Sequence, residues 1–368
     1  MQNPKNIQHI VLSGGGMLGI SYVGILKYLE EKFETRCISS KLKSITGCSA
    51  GAIFGILIAI GYTSSEIETL FKNVIFKDYL HITADSIINF SRVKGLDSNA
   101  KITKLVKQWI KFKTDNEDIT FSQLKQKYNI ILQVGVTCLS KSSFELLNCN
   151  NSPDLLIHHA ISASMAIPLV FEPICIGNEL YCDGSLLNNL PIENITYLVN
   201  SSLIKDTLDT KNILDGSILG IYLMNQHLSI TKDNYQSLTL SKYIGIIISI
   251  MSEYHINSKL NSIITDTTDT PNTIDTPNTT DTSNTTDTPN TTDTPNTTNK
   301  VIEQVSTNTN IDTYQNNRKI VKDINTMYKI IVFKIPGDIM TFLKLNASHS
   351  DIENIIDIAY NKIRDEYS

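Results

Sequence analysis

Ser49 lies between two glycines in the stretch GCSAG, residues 47–51, which follows a β-branched run and precedes an apolar one. The pattern G-x-S-x-G between a strand and a helix is typical of a nucleophile elbow, a sharp turn that presents a serine hydroxyl. Small neighbours such as Gly47 and Gly51 are needed there because the turn leaves no room for bulk. The stretch therefore predicts a nucleophilic serine at the carboxyl end of a strand.

A second glycine-rich stretch, GGGMLG, follows the first apolar run of the chain. Its glycines are Gly14, Gly15, Gly16 and Gly19. Glycine lets backbone N–H groups approach a ligand closely, so the loop is suited to hold an anion. Because adjacent parallel strands end at the same edge of a sheet, we expect Gly14–Gly16 beside Ser49, where their N–H groups would stabilise a developing oxyanion.

Two phosphate-binding motifs compete with this interpretation of the glycine loop. Its spacing, Gly14-x-Gly16-x-x-Gly19, matches a dinucleotide fingerprint, but that motif requires an acidic residue about 20 positions later, at the end of the second strand. Here the second strand ends in SITGCSAG without a carboxylate, and a P-loop would carry lysine where Ile20 stands. Phosphate binding is therefore the weaker interpretation.

A base for Ser49 must come from farther along the chain. Asp183 directly follows a short strand and precedes Gly184, although a lone Asp-Gly pair is more often a hairpin turn. His227 follows a predicted strand and would complete the order Ser49, Asp183, His227 of an α/β-hydrolase triad. An α/β-hydrolase, however, has several strands before its elbow, and here only one precedes it. The other histidines, for which we expect ordinary surface or core positions, are His9, His81, His158, His159, His255 and His349.

The composition argues against several classes of partner. The chain has a formal net charge of −5, and six aspartates within 265–299 account for more than all of it. The rest of the chain carries +1, so no nucleic-acid partner is indicated. The six cysteines are scattered without a C-x-x-C pair, so we expect reduced thiols and no metal site. No secretory signal is recognisable, and the longest apolar runs, 50–62 and 243–251, are shorter than the ~20 residues that span a bilayer. We therefore expect an intracellular protein, soluble or peripheral to membranes.

The order of apolar runs and helical periodicities predicts an α/β domain with a mostly parallel sheet and helices on both faces. Strands are predicted at 9–13, 43–47, 129–139, 217–224 and 328–335, and helices after the first strand and at 50–61, 238–260 and 348–367. Residues 269–298 repeat a six-residue unit five times with too few apolar side chains to form a core. We predict a disordered insertion over 264–315, within one domain formed by 1–263 and 316–368.

Together these motifs resemble the patatin-like phospholipase family. The resemblance rests on GGGMLG at 14–19, GCSAG at 47–51, DGS at 183–185 and ISASMAIPLVFEP at 161–173, and it covers residues 8–196. Two positions depart from the family pattern. Many members carry Arg or Lys in place of Leu18, and the position of Ser185 is usually Gly or Ala. Ser185 is small enough to fit, and its hydroxyl can hydrogen-bond Asp183.

The resemblance implies a three-layer α/β/α fold and a Ser49–Asp183 dyad that works without a histidine, cofactor or metal. It further implies a lipid acyl hydrolase of the phospholipase A type. The substrate would be a glycerophospholipid or another acyl-ester lipid, met in transient contact with a membrane surface. Two alternatives stay open, namely a triad esterase that uses His227 and a member that binds lipid or protein and no longer catalyses.

Overall fold

The computed structural model describes residues 4–80, 82–192, 217–225, 329–335 and 347–368, together with scattered positions between 236 and 258. Three sequence-based predictions concern residues outside this part of the chain. They are the insertion at 264–315, the role of His227 and most of the helix at 238–260, and all three stay predictions.

The described residues contain a main sheet and a separate pair of short strands. The strands are β1 His9–Leu12, β2 Ser44–Cys48, β3 Gly95–Asp97, β4 Ile131–Cys138, β5 Ser143–Leu147, β6 Leu169–Phe171, β7 Ile174–Ile176, β8 Glu179–Asp183, β9 Ile218–Asn225 and β10 Lys329–Ile335. The order in the main sheet is β10-β9-β1-β2-β4-β8-β7, with β5 paired to β4, while β3 and β6 form the separate pair. Neighbours from β10 to β4 are parallel, whereas β5, β8 and β7 join antiparallel.

Helices follow most of the parallel strands. They are α1 Ser21–Lys32, α2 Ala50–Ala59, α3 Ser64–Lys72, α4 Ala84–Val93, α5 Ala100–Thr114, α6 Phe121–Tyr128, α7 Ile157–Ser164 and α8 His349–Tyr367. Capping boxes define several of their starts, as at Ser348, whose side chain accepts from the N–H of Asp351 before α8. None of the helices in the described residues is long and apolar enough to cross a membrane.

The core lies around the central parallel strands. Every residue of β1 and β2 is buried, as expected for strands covered on both faces, and every residue of the apolar helix α2 is buried as well. The C-terminal helix α8 packs closely on α1. At Gly24 a Cβ would lie 2.1 Å from the carbonyl oxygen of Ile356, so only glycine permits this approach. The end of the chain is thus packed against its beginning.

The α/β class and the mostly parallel sheet are confirmed, and the predicted strands are displaced by no more than two residues at either end. The antiparallel strands β5 and β7 were not predicted, because they are short and only partly buried, so they lack a continuous apolar run. The segment between α2 and β4 contains four helices and also the strand β3, which was not predicted because it has only three residues.

Candidate active site

Ser49 occupies the turn between β2 and α2 in a strained conformation. Its φ of 52° and ψ of −124° are rare for a residue with a side chain, and such strain is typical of functional turns. The N–H of Ser49 donates to Ser164 Oγ at 2.8 Å, and Ser164 Oγ donates to the carbonyl oxygen of Gly135 at 2.6 Å. A buried side chain from α7 therefore fixes the turn to the neighbouring strand β4.

The two glycines of the elbow allow the chain to fold tightly around Ser49. A Cβ on Gly47 would lie 2.2 Å from the carbonyl oxygen of Gly51, and a Cβ on Gly51 would lie 2.3 Å from that of Leu12. Backbone atoms cannot yield as a flexible side chain can. Both positions therefore require glycine, which is the physical basis of the G-x-S-x-G pattern at this site.

The strand register carries Asp183 to Ser49. Strand β2 pairs with β4 up to Cys48 opposite Gly135, and β8 pairs with β4 from Asp183 opposite Val136. Strand β5 pairs with β4 along residues that face β2 and along residues that face β8, so β5 occupies one edge of β4. Strands β2 and β8 therefore share the other edge, where β8 begins at the point at which β2 ends. Asp183 thereby takes the place next to Ser49, and the Ser49 hydroxyl is near enough to stabilise the carboxylate.

The environment of Asp183 changes its acidity. Burial raises the pKa of the carboxyl to about 6, opposed by the neighbouring Ser49 hydroxyl and by hydrogen bonds from Ser185. The backbone N–H of Ser185 donates to Asp183 Oδ1 at 2.8 Å, and the Ser185 hydroxyl contributes a further hydrogen bond. The carboxylate is therefore ionised at neutral pH and is a stronger proton acceptor than an exposed aspartate.

The glycine loop lies against Ser49, as the pairing of β1 with β2 requires. A Cβ on Gly14 would lie 2.8 Å from the Cβ of Ser49 and 2.6 Å from Ser185 Oγ. The N–H of Gly14 donates to Asn189 Oδ1 at 2.7 Å, so this donor is already engaged. Within the described residues, the N–H groups of Gly15 and Gly16 have no protein acceptor.

Two other motif glycines, Gly19 and Gly184, allow close packing around the site. A Cβ on Gly19 would lie 3.1 Å from that of Ala50, which lets the loop and α2 pack closely. A Cβ on Gly184 would lie 2.5 Å from the carbonyl oxygen of Gly135, so the turn after Asp183 can run directly over β4. Both glycines keep the three segments of the site within contact distance.

Sequence reasoning did not single out three residues that complete the site. Ser164 anchors the elbow, Asn189 holds Gly14, and Met165 places its sulfur 3.9 Å from Ser49 Oγ. All three lie in the stretches ISASMAIP and DGSLLNNLP, which carry the family resemblance. The resemblance therefore indicated that these stretches belong to the site, but no local sequence pattern indicated what each side chain contacts.

The described histidines with hydrogen-bonded rings are engaged away from Ser49. Nδ1 of the buried His9 lies 2.7 Å from Ser44 Oγ at the opposite end of β1, and burial lowers the pKa of His9 to about 4. His158 pairs with Asp118, and His349 with the carbonyl oxygen of Lys72. None of these rings can serve Asp183, and His227 lies outside the described residues.

Comparisons with known proteins agree with the geometry. The family model described as patatin-like phospholipase matches residues 10–195, half of the chain. The chain is 32% identical over 193 residues to the Probable lipid hydrolase 463L of Invertebrate iridescent virus 6, covering 52% of this chain and 63% of that protein. It is 27% identical over 233 residues to Triacylglycerol lipase 5 of Saccharomyces cerevisiae, covering 54% of this chain and 29% of the lipase.

Among solved structures, VipD from Legionella pneumophila is similar at 18% identity and a TM-score of 0.38, over 71% of this chain and 55% of VipD. The chain spans less than two thirds of the length of each of these relatives. The family model itself spans the glycine loop, the elbow and the aspartate turn in a single match. The chain therefore belongs to the patatin-like phospholipase family.

Proposed function

We propose that the protein is a lipid acyl hydrolase of the phospholipase A type, which cleaves acyl esters of glycerolipids. The observation that carries the proposal is the buried pair of Ser49 and Asp183, adjacent at the ends of β2 and β8 and beside the glycine loop. The names of two relatives, a probable lipid hydrolase and a triacylglycerol lipase, support the same substrate class.

In the proposed mechanism Asp183 accepts the proton of Ser49 while the serine oxygen attacks the acyl carbonyl. The negative charge that develops on the carbonyl oxygen is stabilised by the N–H groups of Gly15 and Gly16. Protonated Asp183 then returns its proton to the leaving alcohol, and the acyl group stays on Ser49. Water, deprotonated by the same carboxylate, releases the fatty acid and restores Ser49.

The oxyanion donors differ from the sequence-based prediction in one respect. Gly14 was expected to donate with its two neighbours, but its N–H is engaged by Asn189. We therefore assign the oxyanion to Gly15 and Gly16, and Gly14 serves close packing against Ser49. In sites of this kind, loss of one oxyanion donor lowers the rate by ~10²–10³-fold.

The proposal is tested with the purified full chain on phospholipids, lysophospholipids and triacylglycerols, with a fluorophosphonate probe to label the nucleophile. We expect fatty-acid release and labelling at Ser49, and loss of both in Ser49→Ala, because alanine fits an elbow of small residues without disturbing the fold. An active Ser49→Ala protein would exclude Ser49 as the nucleophile. Absence of both hydrolysis and labelling in the wild type would instead favour a member that only binds lipid or protein.

A further inference from the structure

The helix α4 presents apolar side chains to solvent. Its half-buried residues, Ser86, Phe90 and Val93, lie on one face at helical spacing, and none of its residues is fully buried. Ile88, on the opposite face, is 73% exposed, and Ile87, about 100° around the helix from Ile88, is 60% exposed. An amphipathic helix normally turns its apolar side inward. Here a second apolar side faces outward, where nothing in the described chain covers it.

The ends of α4 are well defined although its outer face is uncovered. Thr83 and Ser86 form a reciprocal capping box, and Lys94 ends the helix in the left-handed conformation with φ 64°. A helix of ten residues is marginal on its own, since isolated helices need about 12–15 residues. The caps and the half-buried face keep α4 formed, so the exposed isoleucines belong to an ordered surface.

A short series of backbone and side-chain contacts connects this surface to the Ser49–Asp183 site. Met165 contacts Ser49, and the carbonyl oxygen of the next residue, Ala166, accepts the N–H of Asp183. Three residues later Leu169 is 48% exposed, with an unfavourable φ of 70°. Leu169 begins β6, which pairs with β3, and β3 follows α4 directly. The backbone therefore links the site to Leu169, and Leu169 to the strand that follows α4.

Basic side chains outnumber acidic ones in α4 and the segment that follows it. Between residues 82 and 104 the chain carries four basic side chains against two acidic ones, a net charge of +2. The basic residues, all exposed, are Arg92, Lys94, Lys101 and Lys104. Apolar side chains with a basic rim match the surface of an anionic bilayer, in which acyl chains lie beneath phosphate groups.

We propose that Ile87, Ile88 and Leu169, with the basic residues around them, form a surface that docks onto an anionic phospholipid membrane. The inference rests on the proposed function, because it names where the lipid substrate approaches Ser49. A docked α4 buries both isoleucines among the acyl chains and brings Leu169, and with it the site, to the level of the ester bonds.

The first test places a fluorescent reporter on α4. Trp109, the only tryptophan of the chain, is buried and supplies a constant background. In a Ser49→Ala protein, which leaves the vesicles intact, Ile88→Trp should shift its emission to the blue when vesicles of phosphatidylcholine and phosphatidylglycerol are added. Phe112→Trp is the matched control, because Phe112 is 79% exposed and should give no shift.

The control position is remote from the site. Ser49 lies at the start of α2 and Tyr62 just beyond its end, about 15 Å away along the helix. The hydroxyl of Tyr62 donates to the carbonyl oxygen of Trp109, one turn before Phe112 on α5. Phe112 therefore lies near the end of α2 that is remote from Ser49. Equal shifts at both positions would indicate adsorption without a preferred face and would overturn the proposal.

The second test removes the apolar and basic contributions separately. Ile88→Glu should weaken co-sedimentation with these vesicles at least tenfold, and Phe112→Glu should leave it unchanged. Lys104→Gln should weaken binding about fivefold on anionic vesicles at low salt and leave neutral vesicles unaffected. Wild-type sedimentation by Ile88→Glu would refute docking through α4, as would a dimer in solution that Ile88→Glu dissociates. Vesicle binding is measured without turnover, so a blue shift in a protein that hydrolyses nothing would reject only the proposed function.

Discussion

The hydroxyl of Ser185 provides a sensitive test of how Asp183 is tuned. Removing it in Ser185→Gly leaves the backbone N–H on Asp183 Oδ1 but deletes one of the hydrogen bonds that oppose the burial-induced rise in pKa. A hydrogen bond to a charged group contributes about 1.5–3 kcal/mol, and 1.36 kcal/mol corresponds to one pH unit. We therefore expect the pKa of Asp183 to rise from about 6 by about one pH unit.

The consequence appears in the acid limb of the pH–rate profile. Asp183 must be ionised to act as a base, so kcat/KM falls as pH drops through its pKa. The limb should lie near pH 6 in the wild type and about one pH unit higher in Ser185→Gly. At pH 6 the variant should then be about fivefold slower, and the two proteins should converge above pH 8.

The assay should use a soluble short-chain ester, since the charge of a vesicle also changes with pH. Ser185→Ala is the matched control for the added flexibility of glycine, because it deletes the same hydroxyl and should move the limb equally. A limb that stays at pH 6 in both variants, or moves to lower pH, would refute the assignment of the Ser185 hydroxyl as a stabiliser of the carboxylate.

Four further predictions follow from the site and the chain. Asp183→Asn should abolish hydrolysis, whereas His227→Ala should leave it nearly unchanged, and the reverse pattern in a kinetic assay would indicate a triad. Because burial raises the pKa of Asp183, ionised Asp183 destabilises the folded protein, and this cost grows as pH rises. Asp183→Asn removes the cost. In urea titrations it should increase the free energy of unfolding by about 3 kcal/mol at pH 8 and about 1.5 kcal/mol at pH 5. Ser164→Ala leaves the N–H of Ser49 and a carbonyl oxygen of β4 without a partner and should cost about 2–5 kcal/mol in the same titration; a cost under 1 kcal/mol would contradict the anchoring role. Deleting 269–298 should leave hydrolysis and melting temperature nearly unchanged, since the entropic cost of closing a loop changes by only about 0.6 kcal/mol per twofold change in its length. If the deletion instead raises activity on anionic vesicles, and high salt abolishes the increase, the acidic tract regulates activity.

The parts of the fold that the sequence predicted are those with a local signal. Strands β1, β2 and β4 are short runs rich in β-branched and apolar residues, and the elbow around Ser49 is a turn whose small residues are consecutive. Asp183 could be located at a strand end, but its place beside Ser49 depends on which edge of β4 the strand β8 joins. That choice is made between segments far apart in the sequence and leaves no periodic pattern.

The supporting side chains escaped prediction for the same reason. Ser164 is the last residue of α7 and Asn189 lies in the connection after the aspartate turn, and at such positions a hydroxyl or an amide has many available partners. Their contacts are fixed only after α7 and the aspartate turn have packed on β4. The outward apolar face of α4 was missed for a different reason. Its periodicity is that of an ordinary amphipathic helix, and the sequence does not tell which side faces the core.

The meeting of β2 and β8 on one edge of β4 has a consequence for the protein during synthesis. Ser49 leaves the ribosome 134 residues before Asp183, and at about 5–20 residues per second this corresponds to a delay of about 7–27 s. A nascent chain of up to about 180 residues contains the proposed nucleophile without its proton acceptor and without Asn189 on the glycine loop. Under the proposed mechanism, an incomplete chain could not hydrolyse lipids, and activity would begin only when translation has passed the aspartate turn.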